Sequence, residues 1–241
     1  MIYQINPEDL LYLDIETAPQ YPKYEDAPEG LQKFWNKKAT KHMTDEQTPS
    51  EVYNCAGLYA EFGRIICISM GKIVQQGGEY IYRVKSYAND DERKLLQEFI
   101  NDLENFYRNG IHTICAHNGN EFDIPFIARR MLILGLKLPT MLNIAGLKPW
   151  ELKDRLIDTM QLWKFGDFKN FTSLALLCEV FNIPTPKDDI DGSEVYRVYY
   201  EENNLDRIVT YCEKDTLAVA NLVLRLQGKP VIMPEKMQVV G

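Results

Sequence analysis

Leu11-Tyr12-Leu13-Asp14-Ile15-Glu16-Thr17, close to the N-terminus, alternates along its length. In an extended chain Leu11, Leu13 and Ile15 share one side, and Tyr12, Asp14 and Glu16 the other. The spacing predicts a strand that presents two carboxylates on one face, two residues apart, where like charges repel. Two readings are open for this stretch alone. It is an edge strand with its acids in water, or it holds a divalent cation that offsets the repulsion.

The whole chain has 241 residues, enough for one large domain or two small ones. Hydrophobic residues make up 45% and charged residues 26%, the balance of an ordinary globular protein. With 27 basic and 35 acidic residues the net charge is −8, so bulk charge draws no nucleic acid. Such a partner needs a local basic patch or metal ions. The five cysteines (Cys55, Cys67, Cys115, Cys178, Cys212) form no C-x-x-C pair, which argues against a disulfide framework and against a zinc site. The first residues show no basic leader followed by an apolar core, and no apolar run approaches membrane-spanning length. A reducing cytoplasm is the expectation, with no membrane partner.

After the opening strand, Pro19 and Pro22 end regular pairing, and residues 19–56 turn polar and charged. Leu31 to Met43 reads as a short helix carrying Lys33, Phe34, Trp35, Lys37, Lys38 and Lys41. It is a solvated insertion, or a mobile arm whose lysines contact phosphate while an aromatic stacks on a base. Strands are expected at 64–70 and 79–87, separated by short turns, which gives an antiparallel meander with the first.

Asp90 and Asp91 then cap a helix with Leu95, Leu96, Phe99, Leu103 and Phe106 at helical spacing. An apolar strand at 112–117 leads into Asn118-Gly119-Asn120-Glu121-Phe122-Asp123 and a helix with Pro125 in its first turn. Residues 135–153 read as a loop, 155–158 as a fifth strand, and 171–181 as a helix. Asp188, Asp189 and Asp191 make an acidic loop. A long helix is expected from about Asp206 to Leu226, with 228–241 as a short tail. This order predicts an α/β fold: a mixed sheet of about five strands, three antiparallel and then parallel, with helices on both faces. The expectation is one domain, 1–241, with an insertion at 19–56.

Asp123 falls where a strand gives way to a helix, a common place for active-site groups, although an aspartate there also caps helices. Tyr211 and Asp215 are four apart and share a helix face. Four acids from three elements thus have routes to one cleft. Carboxylate oxygens suit Mg²⁺ or Mn²⁺. Two such ions, roughly 3.5–4 Å apart, suit in-line phosphoryl chemistry.

Asp14-Ile-Glu16, Asn118-x-x-x-Phe122-Asp123 and Tyr211-x-x-x-Asp215 resemble, in order, the three exonuclease motifs of the DEDD superfamily. More closely, His117-Asn-Gly-Asn-Glu-Phe-Asp-Ile-Pro-Phe126 and Tyr211-Cys-Glu-Lys-Asp215 look like the second and third motifs of the proofreading exonuclease domain of family-B DNA polymerases. Any one block is weak; the three together, spread over residues 9–226, are specific. The resemblance implies a ribonuclease H-like fold. It implies that Asp14, Glu16, Asp123 and Asp215 bind two divalent ions and that Tyr211 orients or helps deprotonate the attacking water. The superfamily's other branch has a histidine five residues before the last aspartate; Thr210 stands there, so the tyrosine branch fits. Thr17, Asn118 and Phe122 are expected near the terminal nucleotide. Lys214 either touches the scissile phosphate or is solvated.

The sequence given holds no polymerase domain after the last helix, and the 19–56 insertion has no counterpart in the resemblance. The expectation is a stand-alone, metal-dependent 3′-5′ exonuclease acting on single-stranded DNA ends and releasing nucleoside 5′-monophosphates. The first alternative is the same chemistry on RNA, since no residue reads the 2′-hydroxyl. The second is a metal-free module that binds nucleic acid or protein. Retention of all four acids and the tyrosine argues against that module. No protein partner is predictable.

His42, His112 and His117 show no ligand spacing. Asp158 caps a helix or lies near the site, and Arg129 and Arg130 reach phosphate or solvent.

Overall fold

A computed structural model describes residues 2–152, 155–167, 169, 171–184 and 190–241. In chain order its regular elements begin with β1 (Leu10–Pro19), α1 (Glu29–Ala39), β2 (Gly63–Gln76), β3 (Glu79–Ala88) and α2 (Glu92–Arg108). They continue with β4 (Thr113–Ala116), α3 (Asp123–Ile133), α4 (Pro149–Leu152), β5 (Leu156–Asp158) and α5 (Thr159–Lys164). The last are α6 (Leu174–Phe181), α7 (Val195–Tyr200), α8 (Leu205–Leu226) and β6 (Met237–Val239).

The six strands form one mixed sheet in the order β5-β4-β1-β2-β3-β6. β1, β2 and β3 pair antiparallel, whereas β4 joins β1, and β5 joins β4, in parallel. This is the ribonuclease H-like arrangement expected from the sequence, with a sixth strand added. Within the stretch read as a tail, Met237–Val239 pairs in parallel with Tyr82–Val84 of β3. A three-residue edge strand shows no periodicity to read, and its position comes from its partner's open edge.

β1 lies inside the sheet, between β4 and β2, so the edge-strand reading of its acids is overturned. Its two faces are as the alternation predicts. Leu11, Leu13 and Ile15 pack with Leu95, Leu96 and Phe99 of α2 and Phe126, Ile127 and Met131 of α3. Leu10 and Tyr12 point the other way, into a cluster with Leu217, Ala220, Val223 and Leu224 of α8. Asp14 and Glu16 continue that second face, which aims them at the same helix. α8 is itself enclosed, because Ala218 and Leu222 on its far side pack on Leu177 and Cys178 of α6. Burial on both sides explains why every residue from Thr216 to Leu224 is buried.

The 19–56 segment is not a loose arm. Trp35, only 1% exposed, anchors a satellite core with Ala39, Val52, Tyr53, Ala56 and Phe62. Its indole Nε1 donates to Pro49 O at 2.8 Å. The aromatic best suited to stacking on a base is therefore committed to packing, and α1 is fixed in place. Asp188 and Asp189 of the acidic loop lie outside the described residues. Asp191 there accepts from the Ser193 amide at 2.8 Å, as a solvated turn does.

Candidate active site

The strand β4 ends at Ala116 and pairs with β1 only through Tyr12. Beyond that point the β4 side of β1 is free to meet something else. The chain turns back through residues 117–122, with Asn118 in the left-handed region at φ 62°. The turn is tight: a Cβ on Gly119 would lie 2.5 Å from that of Ala116, so only glycine fits. Asp123, the first residue of α3, is thereby brought against β1 and takes a backbone hydrogen bond from Ile15. It is 3% exposed. Burial, and then the neighbouring Asp158 charge, push its carboxyl up to about 7, although its own amide and that of Ile15 pull the other way.

From the opposite direction α8 brings Tyr211, Cys212 and Asp215. One carboxylate oxygen each from Asp14 and Glu16 and the Cys212 sulfur all lie within 4.8 Å of one another, close enough to hold one metal ion. Cys212 Sγ donates to Asp14 Oδ2 at 3.4 Å and to its carbonyl at 3.5 Å. Asp14 is held well above the usual carboxylate range by burial, then by the charges of Glu16, Asp123 and Asp215. Glu16 is raised in the same way, by burial and then by Asp215, Cys67 and Asp123. Tyr211 is also raised, by burial first and then by Asp215, Glu16 and Asp14, with a side-chain hydrogen bond to Asp215. Beyond burial, Asp14, Glu16 and Tyr211 are thus raised by the charges of acids expected to form the centre, Asp123 and Asp215 among them.

Such a set is costly without a cation and fits one well. Within the cluster whose ligand atoms lie together, Asp14 and Glu16 offer hard oxygen donors and Cys212 a sulfur.

Beside Glu16 opens a cavity of about 300 Å³, lined among others by Ile15, Thr17, Leu58, Phe122 and Tyr196. Two residues expected near a terminal nucleotide, Thr17 and Phe122, therefore line it. The Thr17 hydroxyl, however, donates to Gly57 O at 2.8 Å and ties β1 to the turn that carries Leu58. Phe122 packs on Phe126, ring centroids 5.6 Å apart. Asn118 and Lys214 are not among the lining residues. The Asn118 amide donates to Asp158 Oδ1 at 2.9 Å, and its side-chain Oδ1 is buried with no hydrogen-bond partner among the described residues. Lys214 is half-buried on α8, next to Asp215.

Of the residues with open readings, Asp158 and His117 take structural roles and only Arg130 departs from both of its readings. Asp158 caps α5 through the Met160 amide at 2.9 Å, and its carboxylate also receives the Asn118 and Asn120 amides. It pins the turn that delivers Asp123. His117 is structural: Nδ1 meets Thr159 Oγ1 at 2.8 Å and Nε2 meets Thr172 O at 2.9 Å. Arg130 reaches no solvent; it is 2% exposed and clamps Glu92. Arg129 is exposed. Cys212, Leu58 and Tyr196 were missed. Only Cys212 had a signal, as the neighbour of Tyr211 on a helix bound for the acids.

Residues 58–231 match a family described as "Predicted 3'-5' exonuclease related to the exonuclease domain of PolB". The chain belongs to this family. The stretch matched holds Asp123, Tyr211 and Asp215, whereas β1, with Asp14 and Glu16, precedes it. The fold nevertheless sets that strand against the other three. Membership makes the protein a nuclease of predicted 3′-5′ exonuclease type, for which nucleic acid is the substrate class. Among solved structures the chain is similar to the family B DNA polymerase from the hyperthermophilic archaeon Pyrobaculum calidifontis, at 14% identity and a TM-score of 0.48. That similarity covers 90% of this chain and 26% of the polymerase, so the chain spans about a quarter of that protein's length. Among the described residues, no helix is long and apolar enough to cross a membrane.

Proposed function

We propose that the protein is a divalent-metal-dependent exonuclease that removes nucleoside 5′-monophosphates from the 3′ ends of single-stranded DNA. The observation that carries the reading is the convergence of Asp14, Glu16, Asp123 and Asp215 with Tyr211, each acid raising its neighbours, beside a cavity open at Glu16. Asp14, Glu16, Asp123 and Asp215 would hold two Mg²⁺ or Mn²⁺ ions. Bound there, such ions supply an activated water and charge stabilisation for the leaving oxygen.

The remaining work falls to the chain's own groups. Tyr211, hydrogen-bonded to Asp215, orients the attacking water from the α8 side. Its raised pKa suits a hydroxyl that stays protonated and directs a hydrogen bond. Phe122 and Leu58 offer apolar faces to the terminal nucleoside, while the Thr17 hydroxyl keeps the cavity floor attached to β1. Asn118 would meet the same nucleotide on the ground of its motif position alone, since its side-chain oxygen is buried away from the cavity. Lys214 would reach the scissile phosphate only by extending from its half-buried position on α8. The five cysteines, all free thiols, suit a reducing cytoplasm.

The test is an end-labelled single-strand assay with Mg²⁺ or Mn²⁺, run on DNA and RNA of matched sequence, alongside Asp123→Ala. Stepwise shortening from the 3′ end is expected on DNA, abolished by EDTA and by the substitution. Activity surviving either treatment overturns the mechanism, and faster cleavage of RNA overturns the substrate.

A further inference from the structure

We infer that the exposed basic face of α1, formed by Lys33, Phe34 and Lys37 and continued by Lys41 in the following turn, is a docking track for single-stranded DNA upstream of the end being cleaved. The inference rests on the exonuclease reading and extends it to a surface outside the family match, which begins at residue 58.

The charge pattern is the first ground. The chain carries −8 overall, yet among residues 29–41 the only acid is Glu29, at the start of α1, against lysines at 33, 37, 38 and 41. Lys33, Lys37 and Lys41 are exposed, and among the described residues no carboxylate forms an ion pair with any of them. Lys33 and Lys37 are four residues apart, about 6 Å along the helix axis, and Lys41 follows in the turn after α1. That separation is close to the spacing of phosphates on an extended strand. A solvated helix needs no such run, because uncompensated like charges at this spacing disfavour it.

Phe34 is the second ground. It is 61% exposed, while its neighbour Trp35 is 1% exposed and already anchors the helix. Folding therefore does not require an aromatic at position 34. A phenyl ring standing among lysines is what a stacking platform for unpaired bases looks like.

Placement is the third. α1 is held rigidly by Trp35 against Tyr53 and Phe62, with ring centroids 5.8 and 5.6 Å apart. Lys38 Nζ lies 4.1 Å over the Tyr59 ring. Tyr59 follows directly on Leu58, which is 52% exposed and lines the cavity beside Glu16. Lys38, the chain neighbour of Lys37 on α1, thus reaches the ring of the residue that follows Leu58 in the chain. A strand whose last nucleotide fills the cavity and leaves over Leu58 would be led toward this helix. Complementary charge and a ring for bases fit a polynucleotide better than an acidic peptide, which has no use for the ring.

The test measures equilibrium binding of 5′-labelled DNA by fluorescence anisotropy, in EDTA to prevent cleavage, for a trinucleotide and a 20-mer across a salt series. The K33A/K37A/K41A variant is expected to bind the 20-mer about tenfold more weakly at low salt. Its slope of log Kd against log salt should flatten by about 2, or roughly 0.7 for each phosphate no longer neutralised. Phe34→Ala should weaken the 20-mer about fivefold or more without changing the slope. The advantage of the 20-mer over the trinucleotide should shrink in both variants. All four positions are exposed, so folding should persist, as circular dichroism melts would verify.

An unchanged affinity and slope for the triple variant overturns the track if the wild type binds and shortens the same 20-mer in Mg²⁺ or Mn²⁺. Equal losses for the trinucleotide and the 20-mer also overturn it, since a diffuse field would then be acting. So does a loss confined to a matched RNA 20-mer or to an acidic peptide. A wild type that neither binds nor shortens DNA overturns the exonuclease reading first, and the track with it.

Discussion

Glu16 and Glu92 are both 7% exposed, on opposite sides of the same sheet, and their surroundings could hardly differ more. Glu92 receives Arg130 through two contacts, Nε to Oε1 at 2.9 Å and Nη2 to Oε2 at 2.6 Å, as well as the Ile65 amide at 2.8 Å. Arg130 also donates to Ala60 O at 2.9 Å. That acid is fully answered by the chain, and it locks α2, α3 and β2 together. Glu16 faces Asp215 and Asp123 instead. A fold that neutralises a buried carboxylate so thoroughly at one place surrounds another with acids that raise it. A cation from outside the chain is the expected counterweight to that second group.

The comparison can be broken by paired substitutions. Glu16→Gln is expected to reduce exonuclease activity by about 10³-fold or more, as loss of one member of a catalytic unit does. Without metal it should leave the melting temperature unchanged or raised, because it removes repulsion. Glu92→Gln should do the reverse. It leaves Arg130 buried with half its partner and should cost stability on the order of 3–5 kcal/mol, read by urea denaturation. If Glu16→Gln proves the more destabilising of the two in EDTA, the acid cluster is structural and the contrast collapses.

Tyr211→Phe tests the same cluster more gently. It keeps the ring and the four carboxylates, so metal binding measured by calorimetry should persist. The cleavage rate should fall within the roughly 10²–10⁴-fold range of positioned acid–base groups.

The smallest effect concerns pH. Asp123 has a folded pKa of about 7, against an ordinary value near 3.9 in an unfolded chain. Between those values the folded state binds the proton that the unfolded state has lost, so stability falls as pH rises. Asp14 and Glu16, raised in the same direction, add to the trend. In EDTA the melting temperature should therefore decline from pH 5 to pH 8. Saturating Mg²⁺ or Mn²⁺ should raise it and flatten the decline, since the ions bind the ionised form. A metal-free protein whose melting point climbs over that range would contradict the cluster.

The contrast also marks what a sequence discloses. The alternation around Asp14 fixed which face its acids take, and the apolar periodicity of 206–226 placed α8 within a residue of its true start. Both are local patterns repeated over several turns or pleats. Arg130 was illegible because its partner is 38 residues away and on another helix. The satellite core around Trp35 was hidden for a similar reason: its members are spread from Ala27 to Phe62 among charged residues, with no period. Short helices such as α7 carry too few turns to register. Asp158 was half visible, since Asp-Thr suggests a cap, but its grip on the Asn118 turn depends on the sheet bringing β5 beside β4.

The sixth strand has a practical consequence. β3 presents Tyr80, Tyr82 and Val84 along ten residues, and Met237–Val239 covers part of its outer edge. Lys236, paired with Glu79 at 2.8 Å, places a charge where that cover begins. A shortened chain lacking 237–241 would keep every acid of the cluster, yet it would expose a longer, flatter run of unpaired amides and carbonyls. Such a protein is expected to be active when dilute and to self-associate on concentration, so those last residues bear on solubility rather than on chemistry.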